Sequence, residues 1–170
     1  MAETVKGAIE VGLAGCSIED YTTRPNDPYY SLDVAVDRIK AAVETKNRLA
    51  PDFVLTARSE GPVQTQYEFD ETIKRLNAFV EAGADCVYAP QLKDKEQIAK
   101  VLSAVAAPLN ILAGRKNFHL TRKELGDMGG RARVHRRRPC PHRLWRLHGG
   151  GGRHEGQRRL RQFRPRTRHP

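Results

Sequence analysis

Two acids stand together at Glu19-Asp20, an arginine and an acid at Arg58 and Glu60, a phenol and an amide at Tyr88 and Gln91, and another arginine in the turn Ala113-Gly114-Arg115. An acid pair beside an arginine suits a metal ion together with an anionic substrate. Hard cations take oxygen ligands, and a guanidinium grips a carboxylate or phosphonate at two points. Solvated loop residues give the same pattern, so residue type alone leaves both readings open.

These groups share a position, since each follows a short apolar run. Residues 13–18, 53–57, 86–89 and 108–113 read as short strands, and 53–57 is β-rich and continuous, as a parallel strand covered on both faces should be. Residues 2–11 read as a helix end closed by Gly12, where a left-handed residue is wanted. A helix over about residues 31–49 carries the stripe Leu32, Val36, Ile39 and Val43, and the next repeats it with Phe69, Ile73, Leu76 and Val80. Asp94 with Gln97 and Thr121 with Glu124 fit capping boxes, while Tyr21 to Tyr30, with Pro25 and Pro28, reads as a loop. Strands alternating with amphipathic helices predict an α/β fold with a parallel sheet, in which working residues lie at the carboxyl ends of strands. Pattern alone suits a barrel or an open doubly wound sheet. No GxGxxG or phosphate-loop motif supports nucleotide binding.

Charge is divided unevenly. From residue 130 onward there are fourteen arginines, no lysine and one acid, Glu155, a net charge of +13; residues 1–129 carry sixteen basic and nineteen acidic residues, a net charge of −3. The overall +10 therefore describes the tail, and the body reads as an ordinary soluble protein. Cys16, Cys86 and Cys140 have no ligand spacing; the first two lie in strand-like runs and read as free, buried thiols in a reducing cytoplasm. No apolar stretch approaches the roughly 18 residues of a membrane span.

Three motifs in register add a resemblance. Gly15-Cys16-Ser17-Ile18-Glu19-Asp20, Phe53-Val54-Leu55-Thr56-Ala57-Arg58-Ser59-Glu60, and Ala82-Gly83-Ala84-Asp85 followed by Tyr88-Ala89-Pro90 resemble successive βα units of the isocitrate lyase/phosphoenolpyruvate mutase superfamily, over roughly residues 2–129. The resemblance implies a TIM (β/α)8 barrel, of which about four βα units are present. It also implies a Mg2+-dependent enzyme acting on C–C or P–C bonds of small α-keto or 2-hydroxy acids through a metal-stabilised enolate. Carried over, Glu19 belongs to the magnesium shell through water, Arg58 binds the substrate carboxylate, and Asn110 is a looser candidate for a polar contact with substrate. For Asn110, a strand residue bonding its own backbone neighbourhood is an equally good reading.

Two departures qualify the implied activity. Isocitrate and methylisocitrate lyases carry a catalytic cysteine in a Lys-Arg/Lys-Cys-Gly-His loop after the first motif. Here the stretch from Tyr21 to Tyr30 holds neither cysteine nor histidine, which places the chain nearer the mutase-like members. The family's earlier βα units, with their metal-holding aspartates, have no counterpart in the sequence, so little or no catalysis is expected from this chain as written. Complete family members tend to be oligomers.

Residues 130–170 are Arg, Gly, Pro and His with little apolar periodicity, which predicts a disordered basic tail. Such a tail would bind polyanions through charge alone, and no specific nucleic-acid partner and no membrane is expected. His135, Cys140, His142 and His148 fit no standard zinc spacing. The bias matches GC-rich coding sequence read out of frame. Codons for Pro139 to His148 can be chosen so that a one-nucleotide shift reads Leu-Ala-Arg-Thr-Ala-Tyr-Gly-Ala-Phe-Met, the text of an amphipathic helix.

Overall fold

The apolar runs become parallel strands and the striped segments become helices in a computed structural model that describes residues 1–113, 120–128 and 133–136. In chain order the elements are α1 (Ala2–Glu10), β1 (Gly15–Glu19), β2 (Tyr21–Arg24), β3 (Asp27–Tyr29), α2 (Leu32–Leu49), β4 (Val54–Arg58), α3 (Gln66–Glu81), β5 (Cys86–Tyr88), α4 (Lys95–Ala104), β6 (Leu109–Ala113), α5 (Arg122–Asp127) and β7 (Arg133–Arg136). Five strands form one sheet in the order β1-β4-β5-β6-β7, every pair parallel. The four expected strands are thus present and paired in sequence order. β7 carries the sheet past residue 129, where the sequence pattern ends the ordered segment. The strand is short, but its backbone pairs with β6 from Asn110↔Arg133 to Ala113↔Arg136. Residues 137–170 of the basic segment lie outside the described residues.

Strand alternation sorts the side chains by face. Ile18, Ala57, Val87 and Leu109 are register neighbours across the sheet and all are buried in the core with the helices. The next residue on each strand faces the other way, and that second row is the candidate site. Helix α2 buries Ala35, Ile39, Ala42 and Lys46, leaving Leu32, Val36 and Val43 half-buried. Since α2 packs against α1, α3 and β4 at once, its buried face is wider than one stripe. Helix α3 keeps Phe69 and Leu76 in the core but adds Thr72 and Phe79 in place of Ile73 and Val80.

Local signals work as the chemistry predicts. Gly12 takes φ +79° after α1, and Gly83 takes φ +98° after α3, left-handed values that suit glycine. Thr121 with Glu124 forms a full capping box. Asp94 caps α4 through the Gln97 N–H, whereas the Gln97 side chain accepts from Lys93 N–H instead of Asp94. Thr65 with Glu68 forms a further complete box at the start of α3. Residues 21–30 are not an open loop. β2 and β3 make an antiparallel hairpin, closed by the Arg24–Asp27 ion pair at 2.6 Å and by the Thr22 hydroxyl donating to Asp27 O. Cys86 is buried and Cys16 half-buried, and neither forms a disulfide. No described helix is long and apolar enough to cross a membrane.

Candidate active site

Glu19, Arg58 and Tyr88 are the last residues of β1, β4 and β5, and Asn110, the second residue of β6, continues their row, through the register pairs Glu19↔Arg58, Arg58↔Tyr88 and Tyr88↔Asn110. The three residues singled out as site candidates (Glu19, Arg58 and Asn110) therefore share one face and one row. Arg58 is at its centre. Its Nε lies 3.3 Å from Glu19 Oε2, its Nη2 pairs with Glu60 Oε1, and its guanidinium carbon sits 5.1 Å from the centre of the Tyr88 ring. Stacking on an aromatic face holds a guanidinium plane while leaving its edge free to bond. Asn110 is buried, and its Oδ1 accepts no hydrogen bond among the described residues.

Asp20, next to Glu19, is turned away from this row and buried at 2% exposure. Its Oδ1 accepts from the Glu60 backbone N–H at 2.8 Å, and its Oδ2 accepts from the Ser59 hydroxyl at 3.3 Å and from Arg75 Nη1 at 3.2 Å. Burial pushes the Asp20 carboxyl above its ordinary pKa, against the opposing pull of Arg75 and the Ser59 hydroxyl. The acid pair thus divides its work: Glu19 faces Arg58 and Asp20 ties strand ends together.

The hairpin β2–β3 borders the site. Tyr21 and Tyr29, with ring centres 5.8 Å apart, line one open cleft with Glu19, Arg58, Glu60 and Gln91. Tyr29 also borders a second cleft with Asp20, Ser59 and Arg75, and burial raises its phenol pKa, with Asp20, Tyr21 and Glu68 adding to the effect. Residue types alone do not single out Arg75, Ser59 or these tyrosines. The available signal for Arg75 is its spacing on α3: an arginine on the face shared by the buried Thr72 and Phe79 must find a partner inside. Arg115 lies outside the described residues. Among the described residues no three His, Cys, Asp or Glu side chains are grouped so as to hold a metal ion.

The model of the phosphoenolpyruvate phosphomutase family matches residues 1–135. The chain is 36% identical over 127 residues to 2-methylisocitrate lyase of Escherichia coli (strain K12), covering 71% of this chain and 41% of that protein. Among solved structures, oxaloacetate acetylhydrolase in complex with the product oxalate is 35% identical with a TM-score of 0.66, covering 78% of this chain and 47% of that one. A 2,3-dimethylmalate lyase structure is 28% identical with a TM-score of 0.69, over 78% of this chain and 47% of that one. The chain spans less than half the length of these proteins. The sheet and its helices are part of the (β/α)-barrel fold that the motifs imply.

Proposed function

Because the chain belongs to the phosphoenolpyruvate phosphomutase family, we propose that its strand-end row is the anion-binding part of an active site for small α-keto or 2-hydroxy acids. The chemistry is cleavage or formation of a C–C or P–C bond next to the carbonyl. The carrying observation is the row itself: Glu19, Arg58, Tyr88 and Asn110 are register neighbours, and the Arg58 guanidinium carbon lies 5.1 Å from the centre of the Tyr88 ring. Arg58 binds the substrate carboxylate in two-point fashion. Asn110 Oδ1 takes a hydrogen bond from a substrate hydroxyl or a bridging water, because a buried acceptor without a donor is costly. The hairpin tyrosines limit the width of the cleft and hence the size of the acid. The relatives named a lyase and an acetylhydrolase support this substrate class.

Magnesium would supply Lewis-acid stabilisation of an enolate. The carboxylates of the described residues do not make a site for it: Asp20 is enclosed by Ser59, Glu60 and Arg75, and Glu19 and Glu60 both face Arg58. Glu19 is proposed to meet only the water shell of an ion held by other residues. A cytoplasmic setting is proposed, in keeping with the strand cysteines Cys16 and Cys86, half-buried and buried. The catalytic segment is proposed to be residues 1–129 extended by β7, which pairs with β6, with the rest of 130–170 as a basic tail.

Oxalate is the test ligand, since it is a planar dicarboxylate and the product bound by a relative. Calorimetry of the full chain with oxalate, with and without Mg2+, should show binding that Arg58→Ala weakens at least tenfold. Equal affinity in the variant would overturn the reading. The +13 charge of residues 130–170 supports a second reading, a non-catalytic chain that binds polyanions through its tail. A salt-sensitive DNA shift lost on deleting 137–170, which leaves β7 in place, with no oxalate binding, would favour it.

A further inference from the structure

Arg75 lies on α3 with its side chain only 14% exposed. It lines the cleft next to Asp20 rather than the one that holds Arg58. Its Nη1 donates to Asp20 Oδ2 at 3.2 Å and to Tyr30 O at 3.0 Å, and its Nε lies 3.0 Å from Glu71 Oε1. Asp20 in turn holds the backbone N–H of Glu60 at 2.8 Å, and the Glu60 side chain pairs with Arg58. An unbroken series of polar contacts therefore runs from Arg75 through Asp20 and Glu60 to the guanidinium at the centre of the row. Arg75 and Asp20 together tie three segments: the end of β1, the residues after β4 and the exit of the hairpin at Tyr30.

The geometry points to Arg75 as a positioning residue that sets the placement of Arg58, and so the affinity of the site for a carboxylate, without touching the anion. This rests on the reading of Arg58 as the anion-binding group. A buried charge pair is a stringent positioning device. Both members need fixed geometry to offset their desolvation, and removing one leaves the other uncompensated. A lysine at 75 would keep the charge but lack the planar fork that bonds Asp20, Tyr30 and Glu71 together. Structural support alone is the competing account, and the two differ in what happens at Arg58.

The test uses the full 15N-labelled chain and the Arg58 Nε–Hε cross-peak, assigned by its disappearance in Arg58→Lys. Arg75→Met should move this cross-peak and weaken oxalate binding about tenfold. Arg75→Lys should give a smaller change in the same direction, and it serves if the Met variant does not fold. Asp85→Ala, at the opposite ends of the strands, provides a destabilised control in which the melting temperature falls while the cross-peak and oxalate affinity stay put. An unmoved cross-peak in both Arg75 variants, or an equal shift in the control, would overturn the proposal. Absence of oxalate binding in the unmodified chain would instead count against Arg58 as the anion site, and the cross-peak would still decide the role of Arg75.

Discussion

Glu19 and Arg58 are register partners on adjacent parallel strands, and Arg58 Nε comes within 3.3 Å of Glu19 Oε2. With Glu60 on its other side, the guanidinium is outnumbered by carboxylates, so an incoming anion meets a cluster of net negative charge. Glu19→Gln should therefore tighten oxalate binding in the absence of divalent cations. Both side chains are about one-third exposed, which limits the effect to about 1 kcal/mol, or roughly fivefold. Weaker binding in calorimetry would mean that Glu19 orients Arg58 more than it neutralises it.

At the other ends of the strands, Lys46 Nζ is 3.1 Å from Asp85 Oδ1, and Asp85 Oδ2 accepts from the Leu55 N–H at 2.8 Å. Removal of the two partners should not be equivalent. Asp85→Ala strands a buried ammonium, 6% exposed, and a strand N–H, for about 3 kcal/mol. Lys46→Met keeps the apolar stem in place and leaves Asp85 with its backbone donor and partial hydration, for about 1 kcal/mol. Urea unfolding of both variants checks the ordering.

Gly12 and Gly83 both have positive φ, yet they differ in surroundings. A Cβ at Gly83 would meet Val43 Cγ1 at 2.9 Å, whereas one at Gly12 meets nothing within 4 Å. Gly12→Ala should cost about 1 kcal/mol from backbone strain alone, and Gly83→Ala about 2 kcal/mol or more because crowding is added. Adding Val43→Ala should not rescue the strained backbone at 83, so only the crowding part would be recovered.

Asp20 and Glu68 should shape the pH dependence of stability in opposite senses. Burial raises the folded-state pKa of Asp20, so the folded chain holds that proton more tightly than the unfolded chain. The resulting stabilisation is present below the ordinary carboxylate pKa and is lost as pH rises through the higher folded value. Hydrogen bonds, first from the Thr65 N–H, lower the pKa of Glu68, so its contribution is present above the ordinary pKa and is lost as pH falls through the lowered one. Wild-type stability minus that of Asp20→Asn should fall with rising pH, and the difference from Glu68→Gln should rise. Chemical denaturation across the acid range measures both; a rising Asp20 difference would reverse the assignment.

Much of the scaffold was legible because it is written locally. Short apolar runs, glycines at helix ends and the Thr121–Glu124 cap depend on residues a few positions apart. The hairpin was missed because two prolines within residues 21–30 argue for a loop, while the contacts that close it, Arg24 with Asp27 and Thr22 with Asp27, are polar and specific to the turn. The buried face of α2 was misplaced because three neighbours share that helix, and alanines allow a close approach that a hydrophobic stripe does not reveal.

From residue order alone it follows that Glu19, Arg58, Tyr88 and Asn110 end or enter strands, since strand alternation and chain direction dictate which side chains reach the rim. Their union in a single row, and the choice of Asp20 over Glu19 as the buried acid, were decided only by tertiary packing. The physical reason is distance along the chain. Arg75 and Asp20 are 55 residues apart, and the desolvation that makes their pairing matter exists only once α3 has covered the ends of β1 and β4.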